Sequence, residues 1–165
     1  MLRRMMISAA GHIPGGGVAY RYWRARVAAP ISGSWIAAQE IEFRAFPGGP
    51  DLTSPTLTSS RALESGHYDI TEGKFAFDDN LVGYVNAAWV SAKNLNPPVF
   101  VGWDFVDPTV VREIAWLPQN YGSGPDRCPL TLAIDGSDDK VTWNEVASFA
   151  GISGWQLGVW KKFSW

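Results

Sequence analysis

Residues 129–146 read PLTLAIDGSDDKVTWNEV, and few folds can use such a stretch. Leu130, Leu132 and Ile134 alternate with Thr131 and Ala133, the period of a strand that buries one face. Asp135, Gly136, Ser137, Asp138 and Asp139 then supply turn chemistry, and a returning strand opens at Val141 and carries Trp143. A strand, a tight acidic turn and a strand with a large aromatic predict a β-hairpin of a sandwich or barrel. None of these side chains is arranged for catalysis. The aspartates read as turn formers, because the twelve-residue calcium-loop pattern and its distal glutamate are missing. The scaffold is therefore expected to be β, with function in its loops.

The same alternation recurs along the chain. Residues 18–27 (VAYRYWRARV) set Ala19, Trp23, Ala25 and Val27 against Tyr20, Tyr22, Arg24 and Arg26. Residues 35–46 set Ile41, Phe43 and Ala45 against Glu40, Glu42 and Arg44. The arginines of the first strand and the glutamates of the second are expected to pair across the sheet for ~0.2–1 kcal/mol each. Val99, Val101, Trp103 and Phe105 form an apolar stripe opposite Phe100, Gly102 and Asp104. Residues 110–117 make a further strand stopped by Pro118, and residues 158–165 make a last one. Long segments rich in Gly, Pro, Ser and Thr, above all 47–67, separate them as loops. Many short strands, punctuated by 17 glycines and 11 prolines with no amphipathic helix, predict an antiparallel β-sandwich or jelly roll. At 165 residues, 46% of them hydrophobic, one domain with a proper core is expected over 18–165. Residues 1–17 end in HIPGGG without periodicity and read as a flexible N-terminal arm.

Composition removes several classes of function. A formal charge of −2 offers no basic footprint for nucleic acid and no field for an anionic membrane. No segment approaches the ~18 apolar residues of a membrane span, and MLRRMMISAAG is too short and broken for a signal peptide. A soluble product of a cytoplasm is expected. Cys128, the single cysteine, rules out an intrachain disulfide and reads as a small buried apolar residue. His12 and His67 have no partner at ligand spacing. There is no G-x-S-x-G elbow, no H-E-x-x-H and no phosphate-binding glycine loop, so no enzyme is expected.

FAFDDN (75–80), WVS (89–91), VGWDF (101–105) followed by VVREIAW, and LAIDGSDDKVTWNEV (132–146) occur in that order. Together they resemble the discoidin, or coagulation factor 5/8 type C, domains. These are galactose-binding-like β-sandwiches that include carbohydrate-binding modules of family 32. The resemblance covers most of 18–165. It departs at the front, where YRYWRARV (20–27) and AAQEIEF (37–43) resemble the strand pair that closes the family's domain at its C-terminus. Such a chain is circularly permuted relative to the family, or built on a variant that starts one hairpin earlier.

The resemblance implies a structural calcium ion held near the FAFDDN turn by Glu40, Asp78 and Asn80; the alternative is that Asp78 only caps its own turn. Asp79 stands where the family has a glycine suited to positive φ. A sugar site on loops at one end of the sandwich is implied as well. An aromatic platform with polar side chains suits it, and the loop candidates are His67, Tyr68, Trp89, Asn94, Asn96, Tyr121, Arg127 and Trp155. Trp103, Trp116 and Trp143 lie on expected strands and are assigned to the core.

These features lead to an expected non-catalytic glycan- or surface-binding module. It is read as a bacteriophage virion accessory protein of decoration or tail-fibre type, made in the host cytoplasm and extracellular after release. Its loops would meet cell-surface glycans and its arm the capsid or tail proteins. Two alternatives stay open: a purely structural virion attachment protein, and a carbohydrate-binding module serving a polysaccharide-degrading system.

Overall fold

Alternation along the strands decides the layers. The structure, a computed structural model, describes residues 17–53, 60–83, 87–93 and 98–165. In chain order the strands are β1 (Ala19–Val27), β2 (Ala37–Ala38), β3 (Glu40–Arg44), β4 (Ala62–Glu64), β5 (Trp89–Val90), β6 (Val99–Val110), β7 (Glu113–Leu117), β8 (Thr131–Ser137), β9 (Asn144–Ala150) and β10 (Lys161–Ser164). They pair antiparallel in the orders β4-β6-β1-β8-β9, β10-β7-β3 and β2-β5. The fold is all-β, an antiparallel sandwich.

The two larger sheets share one core. Trp23, Ala25, Val101, Trp103, Leu132 and Ile134 face inward from the first, and Ile41, Phe43, Ile114 and Trp116 from the second. Aromatic rings bridge the layers: Phe43 meets Phe105 edge-on at 6.2 Å, and Phe77 lies 5.0 Å from Trp103. Each large side chain removed from water contributes roughly 1.5–3 kcal/mol. Cys128 is fully buried, and burial pushes its thiol up, far from thiolate chemistry. Among the described residues no helix is long and apolar enough to cross a membrane.

The expected pairing of arginines on the first strand with glutamates on the next does not occur. The chain crosses to the other layer between β1 and β3, so β1 has β6 and β8 as neighbours. Arg24 and Arg26 instead share the buried Asp135 of β8, each placing Nε 2.8 Å from its Oδ2. Glu42 pairs with Arg44 of its own strand, which also reaches Glu113 at 3.0 Å.

The 129–146 stretch does form a hairpin, with a longer turn than its sequence implies. Asp139 Oδ1 accepts from the backbone N–H groups of Val141 and Thr142 at 2.8 and 2.7 Å, so the return strand opens only at Asn144. Those two bonds hold the Asp139 carboxyl down to about 2. Trp143 consequently falls within the turn and is not a core residue. Its ring leaves the sandwich interior for the outer face of the sheet, over the Arg24 guanidinium at 3.9 Å. Trp103 and Trp116 are buried in the core. β4 is a three-residue edge strand inside the segment that reads as loop, paired with β6.

Gly17 and Trp165 both lie against Arg112. The Trp165 N–H donates to the Arg112 carbonyl at 3.1 Å, and a Cβ on Gly17 would fall 3.0 Å from Arg112 Nε.

Gly102 sets the spacing of the sheet's centre. A Cβ there would lie 2.2 Å from the Trp23 carbonyl oxygen and 2.7 Å from Arg24 Cα, both backbone atoms of β1. Gly102→Ala is therefore expected to force β1 and β6 apart and to lower stability by about 1–3 kcal/mol. Urea unfolding measures this, and an unchanged midpoint would contradict the close register of the two strands.

Candidate functional site

Residues 28–36, 65–72, 91–93 and 119–128 meet where β1 leaves the sheet and β8 enters it, because backbone hydrogen bonds stitch them together. The N–H groups of Ile31 and Ser32 donate to the carbonyls of Cys128 and Asp126 at 2.9 and 2.8 Å. Tyr68 donates to Val90, and Ser91 donates to Ile36 and returns an acceptor through its Oγ. Trp35 sits among these loops. Tyr68 packs edge-on against it at 5.9 Å, and the cations of Arg127 and Lys93 each lie 5.6 Å from its ring centre. Arg127 also lies 5.3 Å from the Tyr121 ring and donates to Gln119 Oε1 at 2.9 Å. Tyr68 and Tyr121 are exposed, by 55% and 42%. Trp35 Nε1 is buried and has no hydrogen-bond partner. A buried donor left unpaired is destabilising by about 1–3 kcal/mol.

Of the residues singled out in the sequence, the structure brings together Tyr68, Tyr121 and Arg127. His67 stands at the margin, its Nδ1 2.9 Å from Glu64 Oε1. Trp89 and Trp155 do not belong to the group. Trp89 lies on β5 with no exposure and donates to the Gly66 carbonyl, while Trp155 is 8% exposed and donates to the Pro129 carbonyl. Both are core residues, because the loops that carry them fold back over the sandwich. Asn94 and Asn96 lie outside the described residues. Trp35 and Lys93 were missed. The one available signal for Trp35 is its place straight after Ser32-Gly33-Ser34, where a loop ends.

The second constellation is the 78–83 turn. Asp78 Oδ1 accepts from the Asn80 N–H and Asn80 Oδ1 from the Gly83 N–H, both at 3.0 Å, so two side chains close successive turns. Asp79 has φ of 59°, the left-handed conformation that favours glycine. Aspartate is among the few other residues that tolerate it. Glu40, with no exposure, accepts the Asp79 N–H on Oε2 at 3.0 Å, and its Oε1 has no partner. Burial, followed by the charges of Asp78, Asp79 and Asp51, pushes the Glu40 carboxyl up to about 9. Burial also raises Asp51, to about 6. An orphaned buried carboxylate oxygen among other carboxylate charges is the kind of donor a hard cation takes. Among the described residues no three His, Cys, Asp or Glu side chains form a ready metal cluster, so an ion here would also need backbone or amide oxygens.

Gln39 ties the two constellations together. Its buried side-chain amide donates to the carbonyls of Asn80 and Ala87, and its Oε1 accepts the Asn120 N–H at 2.8 Å.

Without a bound cation, native Glu40 keeps a proton that the unfolded chain gives up above about 4.5. Its contribution to stability is therefore fully present below that value and is lost as pH rises toward about 9. Glu40→Gln should flatten this loss. Urea unfolding of both proteins in chelator at several pH values measures it, and parallel profiles would contradict a protonated Glu40.

Comparison of the chain with protein-family models, curated proteins and solved structures returns no match.

Proposed function

We propose that the protein is a non-catalytic glycan-binding module of discoidin-like type whose sugar site is the loop cluster around Trp35. The observation that carries this reading is the grouping of the exposed rings of Tyr68 and Tyr121 with the cations Arg127 and Lys93 around Trp35. Rings give apolar area to the faces of a pyranose at small entropic cost, and fixed donors suit its hydroxyls. The discoidin-like part is supported by the order of the four motifs in a β-sandwich, and by the meeting of Gly17 and Trp165 at Arg112, which a permuted strand order requires.

Calcium belongs to the same proposal. Glu40, Asp78 and Asn80 hold it, and when bound it neutralises the crowded carboxylates and fixes the turn. Through Gln39 and Asn120 that turn is joined to the loop carrying Tyr121 and Arg127. The ion pins loops and does no chemistry. The biological setting that suits such a module is a bacteriophage particle, with residues 1–17 attached to capsid or tail proteins and the loops turned toward host-surface carbohydrate.

A glycan array followed by calorimetric titration tests the reading. At least one glycan should bind, more tightly with calcium than with chelator. Tyr68→Ala and Arg127→Ala should each weaken it by about tenfold, the effect of removing an aromatic or arginine anchor. No binding to any glycan, with the protein present only in assembled particles, would replace this reading by a purely structural attachment role.

A further inference from the structure

The outer face of the five-stranded sheet carries a cleft of about 460 Å³, lined by residues that include Arg24, Leu63, Phe100, Lys140 and Trp143, that the loop cluster does not use. Leu63, Gly102, Arg24 and Asp135 are register neighbours across four strands. Gly102 leaves the floor bare, and no side chain fits there without displacing β1. Arg24 crosses this floor with its guanidinium carbon 3.9 Å from the Trp143 ring centre and 4.8 Å from that of Phe100. Its Nε donates to Asp135 Oδ2 at 2.8 Å. Among the described residues no hydrogen bond uses its two Nη atoms.

The charges around it are matched by partners of opposite sign, so a preference for an anion rests on Arg24 itself. Asp135 is buried and serves two guanidiniums at once, since Arg26 donates to both of its oxygens; Arg26 in turn takes Glu145. Lys140, on the cleft wall, lies 4.7 Å from the Tyr22 ring centre and 4.0 Å from Asp104, which is itself held by Arg21. Glu64 is the acidic wall, and both its oxygens are engaged, by His67 Nδ1 and the Gly73 N–H.

An arginine clamped between two rings and a buried carboxylate has already lost its conformational freedom. With its terminal nitrogens unused, it is a preorganised fork for a carboxylate. We infer that this cleft binds a carboxylate-bearing sugar, a uronic acid unit, with the carboxylate on the Arg24 fork, Lys140 as the second positive charge, and the sugar ring against Leu63 and Trp143. The carboxylate part stands on the cleft alone; the choice of a sugar rests on the proposed glycan-binding function. The site is separate from the loop cluster.

Indole N–H resonances of the ¹⁵N-labelled protein test it, with Trp143 assigned through Trp143→Phe and Trp35 through Trp35→Phe. Sodium D-glucuronate, D-glucose and sodium acetate are titrated at constant ionic strength. Glucuronate should move the Trp143 resonance along a saturable curve with Kd of about 1 mM, acetate should bind at least about tenfold more weakly, and glucose should leave it unmoved. Arg24→Lys keeps a cation beside Asp135 and should weaken glucuronate about tenfold, with the core indole resonances in place to report an intact fold. Lys140→Ala, at an exposed turn position, should weaken it about threefold. An unmoved Trp143, an equal response to glucose or acetate, or undiminished binding by both variants would overturn the inference. Glucuronate that moves Trp35 and not Trp143 overturns the cleft and leaves the loop site standing. Movement of Trp143 alone leaves the cleft standing whatever becomes of the loops.

Discussion

One buried amide holds the functional end of this molecule in place. Gln39 interrupts the strand segment between β2 and β3, and its own N–H donates to the Leu117 carbonyl while its side chain spans three other chain segments. Asn120 adds a direct tie to the 78–83 turn, its side-chain N–H donating to the Val82 carbonyl at 2.9 Å. A fully buried glutamine is tolerated only when its donors and acceptor are satisfied, and here they are. The loops can therefore be long and irregular and still present Trp35, Tyr68, Tyr121 and Arg127 in one arrangement.

Two buried carboxylates show how the same chain treats charge where it stabilises and where it waits for a partner. Asp135 meets two guanidiniums inside the sheet. Glu40 meets one backbone N–H and three other carboxylates, which with burial drive it toward the neutral acid. The first arrangement is complete in itself and builds a platform on the outer face. The second is complete only with a proton or a cation, which is why it reads as a site and Asp135 as a support.

Much of the scaffold is legible in the sequence, because period-two alternation is local. β1, the VGWDF part of β6 and the β8–β9 hairpin can be placed from their own residues. What the sequence hides depends on which strand becomes whose neighbour. Arg24 and Arg26 read as partners of Glu42, yet the layer crossing between β1 and β3 gives them Asp135. Trp89 and Trp155 read as loop aromatics, yet the loops fold inward over the core. Trp143 reads as core, yet a six-residue turn pinned by Asp139 sends it outward. In the candidate site Tyr68, Tyr121 and Arg127 are visible as loop residues between glycines and prolines. Trp35 is not, because it opens a segment that alternates like a strand.

The most direct measurement is amide hydrogen exchange on wild-type protein and Gln39→Leu, which keeps the side-chain volume and removes every bond the amide makes. If Gln39 organises the functional end, the Asn120 amide and those of Tyr121 and Gly124, bonded within the same loop, should lose protection by about tenfold or more, while β1, β6 and β8 keep theirs. Unchanged protection across 119–128 would contradict a loop cluster held by this residue.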